Sequence, residues 1–195
     1  MIRSEGAYDS ISAGFAIQVD EHGLIIVDYR MEDLPSGSIV QEAGLRFITG
    51  ESFDKIAWSR NPYFTAYPPN HLGQPVGEVD LNRTTEMNYK EEPTHDWEMD
   101  SKSFYYSGPD NEWPYTHLVR SLKENTCSFA LITKPGSRLE VFAEGDRACR
   151  FNRMDGKNCL IIDTLWDYPN LMWGNYMKEI KLPEELRSTA ILSAH

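Results

Sequence analysis

Glu51 closes the stretch Gly44-Leu-Arg-Phe-Ile-Thr-Gly-Glu51, whose composition reads as a strand. Strand alternation puts Glu51 on the face of Leu45, Phe47 and Thr49, so a carboxylate is expected on an apolar surface. Burial disfavours the charged form of such a group and moves its pKa up, toward the range useful for proton transfer. A glutamate beside a glycine at a strand end is also an ordinary solvated turn residue. A second pair of polar groups lies near the start, in Ala7-Tyr8-Asp9-Ser10. If that segment is extended, the Tyr8 phenol and the Ser10 hydroxyl share one face and reach toward a common point.

Other chemistries find little support. No glycine-rich dinucleotide loop, P-loop, HExxH helix, CxxC pair or GxSxG elbow occurs. The segment Glu91-Glu-Pro-Thr-His95-Asp-Trp-Glu98-Met-Asp100 has oxygen ligands in quantity. As a strand, however, it would point His95 away from Asp96, Glu98 and Asp100, and it reads as a solvated acidic face. No metal or cofactor is expected. Cys127, Cys149 and Cys159 cannot all pair and sit in apolar runs, which suits reduced thiols in a cytoplasm. The first ten residues carry no apolar core of a signal, and no run of about 18 apolar residues appears.

The elements that must position these groups are mostly strands. Gly14 to Val19 and Leu24 to Arg30 flank the turn-rich Asp20-Glu-His-Gly23 and form a predicted hairpin. Asn61 to Val76 is rich in proline and is expected to run over the surface. Glu78 to Tyr89 and Asp96 to Tyr106 follow as extended segments, then a helix from Pro114 to Lys123 with Leu118, Val119 and Leu122 at helical spacing. Ser128 to Thr133, Arg138 to Ala143, Ala148 to Arg153 and Asn158 to Thr164 are four short strands joined by the turn signals Lys134-Pro-Gly136, Gly145-Asp146 and Asp155-Gly156. They predict an antiparallel meander. A last extended edge is expected before Leu182-Pro183.

At 195 residues the chain suits one domain spanning 1–195 with a core of its own. The fold class is mainly β (α+β), an antiparallel half-barrel wrapped around a short helix, whose concave side can hold an apolar guest. The formal charge of -11, from 19 basic and 30 acidic residues, would repel a phosphate backbone and an anionic membrane surface. Nucleic acid and membrane are therefore not expected partners.

An order of short motifs adds a more specific expectation. Ala7-Tyr8-x-Ser10, Gly14-Phe15, Val27-Asp28 and Gly44-x-Arg46-Phe47-x-x-x-Glu51 are followed by Gly136-x-Arg138, Glu144-Gly-Asp146, Arg150-Phe151-x-Arg153, Gly156-Lys157, Asp163 and Leu165-x-Asp167-Tyr-Pro-Asn170. In this order the chain resembles the VioE family of violacein biosynthesis, small cofactor-free enzymes with a fold like that of the bacterial lipoprotein carriers LolA and LolB. Agreement is scattered over most of the chain and poor from about Ser52 to Tyr106.

The resemblance implies a pocket lined by Tyr8, Ser10 and Glu51 as the catalytic set. Phe47, Met31 and Trp166 are then candidates for contact with substrate. It also implies a homodimer, and an indole-pyruvate imine dimer as the molecule whose indole is shifted. Two departures stand out. The family's Phe-Asn pair has no counterpart in Arg30-Met-Glu-Asp-Leu34, and Trp166 stands where an arginine is expected, removing a cation from the hold on a substrate carboxylate. These two departures leave the same fold expected, with room for a different substrate, and the segment between Ser10 and Gly14, shorter than in the family, alters the pocket wall.

Two other functions fit the same sequence. A cytosolic carrier would use the concavity to hold an apolar molecule without turning it over. An acidic inhibitor or immunity-type protein would use the -11 charge to meet a basic partner.

Overall fold

The computed structural model describes residues 1–8, 10–40, 42–50, 52–62, 74–80, 123–154, 157–166 and 180–195, with Tyr8 and residues 152–154 described by backbone alone. The expected helix before Lys123, the acidic segment around His95, Glu51 and the Asp167-Tyr-Pro-Asn170 corner lie outside the described residues. No described residue is helical. Strand pairing is antiparallel throughout.

The expected hairpin forms from β2 (Ile11–Val19) and β3 (Leu24–Glu32). Its turn is held by Asp20, whose Oδ1 accepts from the backbone N–H groups of His22 and Leu24, both at 2.8 Å. These donors hold the Asp20 carboxyl below its ordinary pKa, the Leu24 N–H most. In β3 the alternation is visible in burial: Val27 and Tyr29 are buried while Asp28 and Arg30 are exposed. Ahead of the hairpin, β1 (Ile2–Tyr8) pairs with β2 along its whole length.

β4 (Ile39–Val40) is followed by β5 (Glu42–Thr49) and β6 (Lys55–Arg60), then β7 (Val76–Asp80), β8 (Thr126–Ile132) and β9 (Arg138–Phe142). The chain ends in β10 (Ala148–Met154), β11 (Lys157–Trp166), β12 (Ile180–Lys181) and β13 (Leu186–Ala194). An eight-stranded sheet has the order β1-β2-β3-β13-β9-β8-β6-β7, and a three-stranded sheet the order β10-β11-β5; β12 and β4 form a small pair. Both larger sheets contribute to one core, with Tyr29, Ile56, Trp58, Phe129, Leu131 and Leu192 from the first and Leu45, Phe151, Leu160 and Ile162 from the second.

Three expectations change. The four strands from residue 126 onward form two hairpins in different sheets instead of one meander, because β9 pairs with β13 while β10 and β11 join β5. The crossover runs alongside the start of β8: Gly145 N–H donates to the Thr126 carbonyl at 2.9 Å, Thr126 N–H to the Arg147 carbonyl at 2.8 Å, and Lys123 bridges Cys149. Lys123 is thus in an extended bridge, where the sequence suggested the end of a helix. Finally, the strand expected to end at Glu51 ends at Thr49, short of the carboxylate it was to orient.

Gly44 explains how β5 and β11 approach each other. A Cβ at position 44 would lie 2.1 Å from the Ile162 carbonyl oxygen and 2.6 Å from the Asp163 Cα. Only glycine fits, and the register slips between Asp163 and Leu165 just beyond it.

Candidate functional site

β5 carries Phe47 and Thr49 to one end of the sandwich, where the chain turns through Gly50 and then from Ser52 to Asp54 before entering β6. This bend is fixed from both sides. The Asp54 N–H donates to the Ile132 carbonyl at 2.9 Å, and the Phe53 ring packs edge-on against Phe151, with centroids 5.8 Å apart and planes at 83°.

Between this bend and the eight-stranded sheet opens a cavity of about 1020 Å³. Its apolar lining comes from Ile25 of β3, Leu192 of β13 and Leu139 of β9 on the sheet side, and from Phe47, Ile48 and Phe53 on the other. Gly50 and Ser52, which flank position 51 in the sequence, both line it. A volume of this order, about 1020 Å³, lined mainly by apolar and aromatic groups with a few polar ones, is the form of a small-molecule site.

The polar lining is concentrated on the β8–β9 turn. Thr133 and Ser137 hold that turn: Thr133 N–H donates to the Ser137 carbonyl at 2.9 Å, Gly136 N–H to the Thr133 carbonyl at 2.9 Å, and Ser137 N–H to the Thr133 hydroxyl at 3.1 Å. Gly136 takes a φ of 102°, a left-handed value open to glycine. The turn delivers Lys134 and Arg138 to the cavity, and Asp54 is the one acidic side chain among the described lining residues.

The candidates named from the sequence separate into two groups. Phe47 lines the cavity. Met31 packs on the core near the opposite end of β3 from Ile25, six residues and about 20 Å along the strand. Ser10 is exposed in the β1–β2 turn; that turn lies beyond the Ser12↔Glu32 pair, at the Met31 end. The backbone of Tyr8 ends β1 opposite Ile11, at the same end. Trp166, partly buried, pairs with Glu42 at the start of β5, whereas Phe47 pairs with Leu160. Met31, Ser10 and Trp166 therefore share one end and Phe47 holds the other.

No family model matches the chain, and none of the curated proteins does. The site must be read from its own residues. Among those described, no group of three or more His, Cys, Asp or Glu is placed to hold a metal ion, and no helix is long and apolar enough to cross a membrane.

Phe53, Lys134 and Arg138 were not singled out from the sequence as site residues, although Arg138 belongs to the Gly136-x-Arg138 motif. The available signal was the turn Lys134-Pro-Gly136, which puts two cations four residues apart at a hairpin end. A separate buried grouping serves the core. The Lys123 ammonium lies 4.6 Å from the centre of the Trp58 ring, whose Nε1–H donates to the Gln74 carbonyl at 2.9 Å, and Arg150 Nη2 meets Glu42 Oε1 at 2.5 Å.

Proposed function

We propose that this chain is a small cofactor-independent enzyme of aromatic secondary metabolism, with a half-barrel of the LolA/LolB type wrapped around a short helix. It would take a tryptophan-derived, indole-pyruvate imine-type intermediate and direct its rearrangement. The observation that carries this reading is the cavity whose lining includes Phe47, Phe53 and both sequence neighbours of Glu51. Phenyl faces hold a flat indole in one geometry, and a carboxyl group beside it can move a proton between the carbons and nitrogen of an enamine-imine. Ser10 and the backbone of Tyr8 lie at the other end of the sandwich, so the acid/base role stays with Glu51 without their orienting help. The reading carries a homodimer and a cytoplasmic location with it.

The test is direct. Purified protein is incubated with tryptophan, a tryptophan oxidase and the haem-dependent synthase that joins two indole-pyruvate imines. The expected result is an indole-shifted product in place of the spontaneous chromopyrrolic acid, lost in Glu51→Gln. Spontaneous product alone would overturn the catalytic reading. The open, largely apolar cavity also favours a second reading, a carrier of a hydrophobic small molecule, and tight binding of indoles without turnover would select it.

A further inference from the structure

We infer that the cavity selects a guest with a flat apolar body and a carboxylate, and that Arg138, assisted by Lys134, receives that carboxylate. The inference deepens the function proposed above and uses the same cavity, but it concerns recognition and needs no catalytic step.

Three observations converge on Arg138. The first is its fixed base. Its backbone N–H donates to the His195 carbonyl at 2.6 Å and its carbonyl accepts from the His195 N–H at 3.0 Å, while its other side is in register with Ile132. A side chain rising from such a doubly paired position starts from a defined direction, which lowers the entropy lost when a ligand orders it.

The second is an unfilled hydrogen-bonding capacity. The Arg138 side chain is 35% exposed, and its Nη2 forms an ion pair with Glu140 Oε2 at 3.7 Å, a separation too long for a hydrogen bond. Its Nε is buried without a hydrogen-bond partner among the described residues. Sheltered donors left unmet are costly, and a planar guanidinium facing a cavity is matched by a carboxylate, which can accept two parallel N–H bonds.

The third is the distribution of charge. The chain carries a formal charge of -11, which repels an anion at long range. Against that background the cavity holds Lys134 and Arg138 with Asp54 as its described acid. Both cations come from the β8–β9 turn, on one side, while Phe47 and Phe53 come from β5 and the bend that follows. The cavity thus has an anion-accepting side and an aromatic side. Lys134 is exposed in the turn, so its contribution is a screened point charge, smaller than the fork of Arg138.

Calorimetry with three probes tests this: indole-3-acetate, the neutral 3-methylindole, and octanoate, which has the carboxylate without the ring. Indole-3-acetate should bind at least about tenfold more tightly than either of the others. Arg138→Gln should remove at least about tenfold of its affinity and leave 3-methylindole unchanged. Lys134→Gln should cost less, with the loss shrinking as salt is added. Thermal melting of each variant confirms that it is folded, and Arg138→Lys, which keeps the charge and loses the fork, should recover only part of the affinity. Equal binding of the indole acid and 3-methylindole, equal loss of both in Arg138→Gln, or no binding by either would overturn the inference. Octanoate binding as tightly as indole-3-acetate would overturn its aromatic half. Glu51→Gln should leave indole-3-acetate binding intact, and unaltered protein that binds indole-3-acetate through Arg138 yet yields only the spontaneous product would fail the catalytic reading while this one stands.

Discussion

The Tyr29 phenol and the Thr164 hydroxyl lie 2.5 Å apart and tie β3 of the large sheet to β11 of the small one. Tyr29 is buried, so the phenol needs its partner. Thr164 stands at the register shift between Asp163 and Leu165, where the irregularity in pairing coincides with the contact. Tyr29→Phe and Thr164→Val should each cost about 1–2 kcal/mol in urea unfolding. The double variant should fall short of the sum by roughly 1 kcal/mol, since each single change removes the same bond. Strict additivity would mean the two sheets are not joined there.

Two glycines six positions apart have opposite tolerances: Gly44 is walled by Ile162 and Asp163, whereas a Cβ at Gly50 would meet nothing within 4 Å. Gly44→Ala should lower stability by about 1–3 kcal/mol, because β11 backbone must move. Gly50→Ala should be neutral or stabilise by up to roughly 1 kcal/mol through the unfolded chain. Thermal melts of the two variants decide the matter, and a stable Gly44→Ala would refute the close approach.

Cys149 is fully buried, and burial, followed by the nearby Asp163 charge, pushes its thiol pKa well above the ordinary 9.0. The folded state therefore holds the thiol proton after the unfolded chain has released it. The stability this group contributes is complete below about pH 9 and is lost as pH rises beyond it. Cys149→Ala should flatten the alkaline decline by up to about 1.4 kcal/mol per pH unit. In native protein near pH 8, iodoacetamide should modify the partly exposed Cys127 and spare Cys149. Equal labelling of both would contradict the burial.

The parts of the fold legible in the sequence are those where turn chemistry and alternation agree. Asp20 to Gly23 between two β-branched runs specified the β2–β3 hairpin, and Lys134-Pro-Gly136 specified the β8–β9 turn. β13 was missed because its inward positions, Leu186, Ser188, Ala190 and Leu192, mix small and polar residues with leucines, and its outward Ile191 blurs the alternation. β6 was missed because Ile56 and Trp58 are its only large apolar residues. Sheet membership was illegible for a different reason. Nothing in Glu144-Gly-Asp146 shows that the chain leaves one sheet for the other, since that choice is made by long-range pairing of β9 with β13 and of β11 with β5. Of the candidate site, Phe47 was legible through its strand face; Arg138 acquires its role only through the His195 pairing.

The two ends of the sandwich give the sharpest functional contrast, between Phe47 and Met31. Both are partly buried and both pack against the core, so truncation of either should reduce stability by roughly 1–3 kcal/mol. Only Phe47 lines the cavity. Phe47→Ala should therefore weaken 3-methylindole by about tenfold, the order expected for losing one aromatic contact and its buried area. Met31→Ala should melt lower but bind the same guest with unchanged affinity. The comparison uses binding per folded molecule, measured well below both melting transitions, so that stability loss does not pass for affinity loss. If Met31→Ala weakened the guest as much as Phe47→Ala, the guest would sit at the Trp166 end, and the cavity beside Gly50 and Ser52 would lose its claim to be the site.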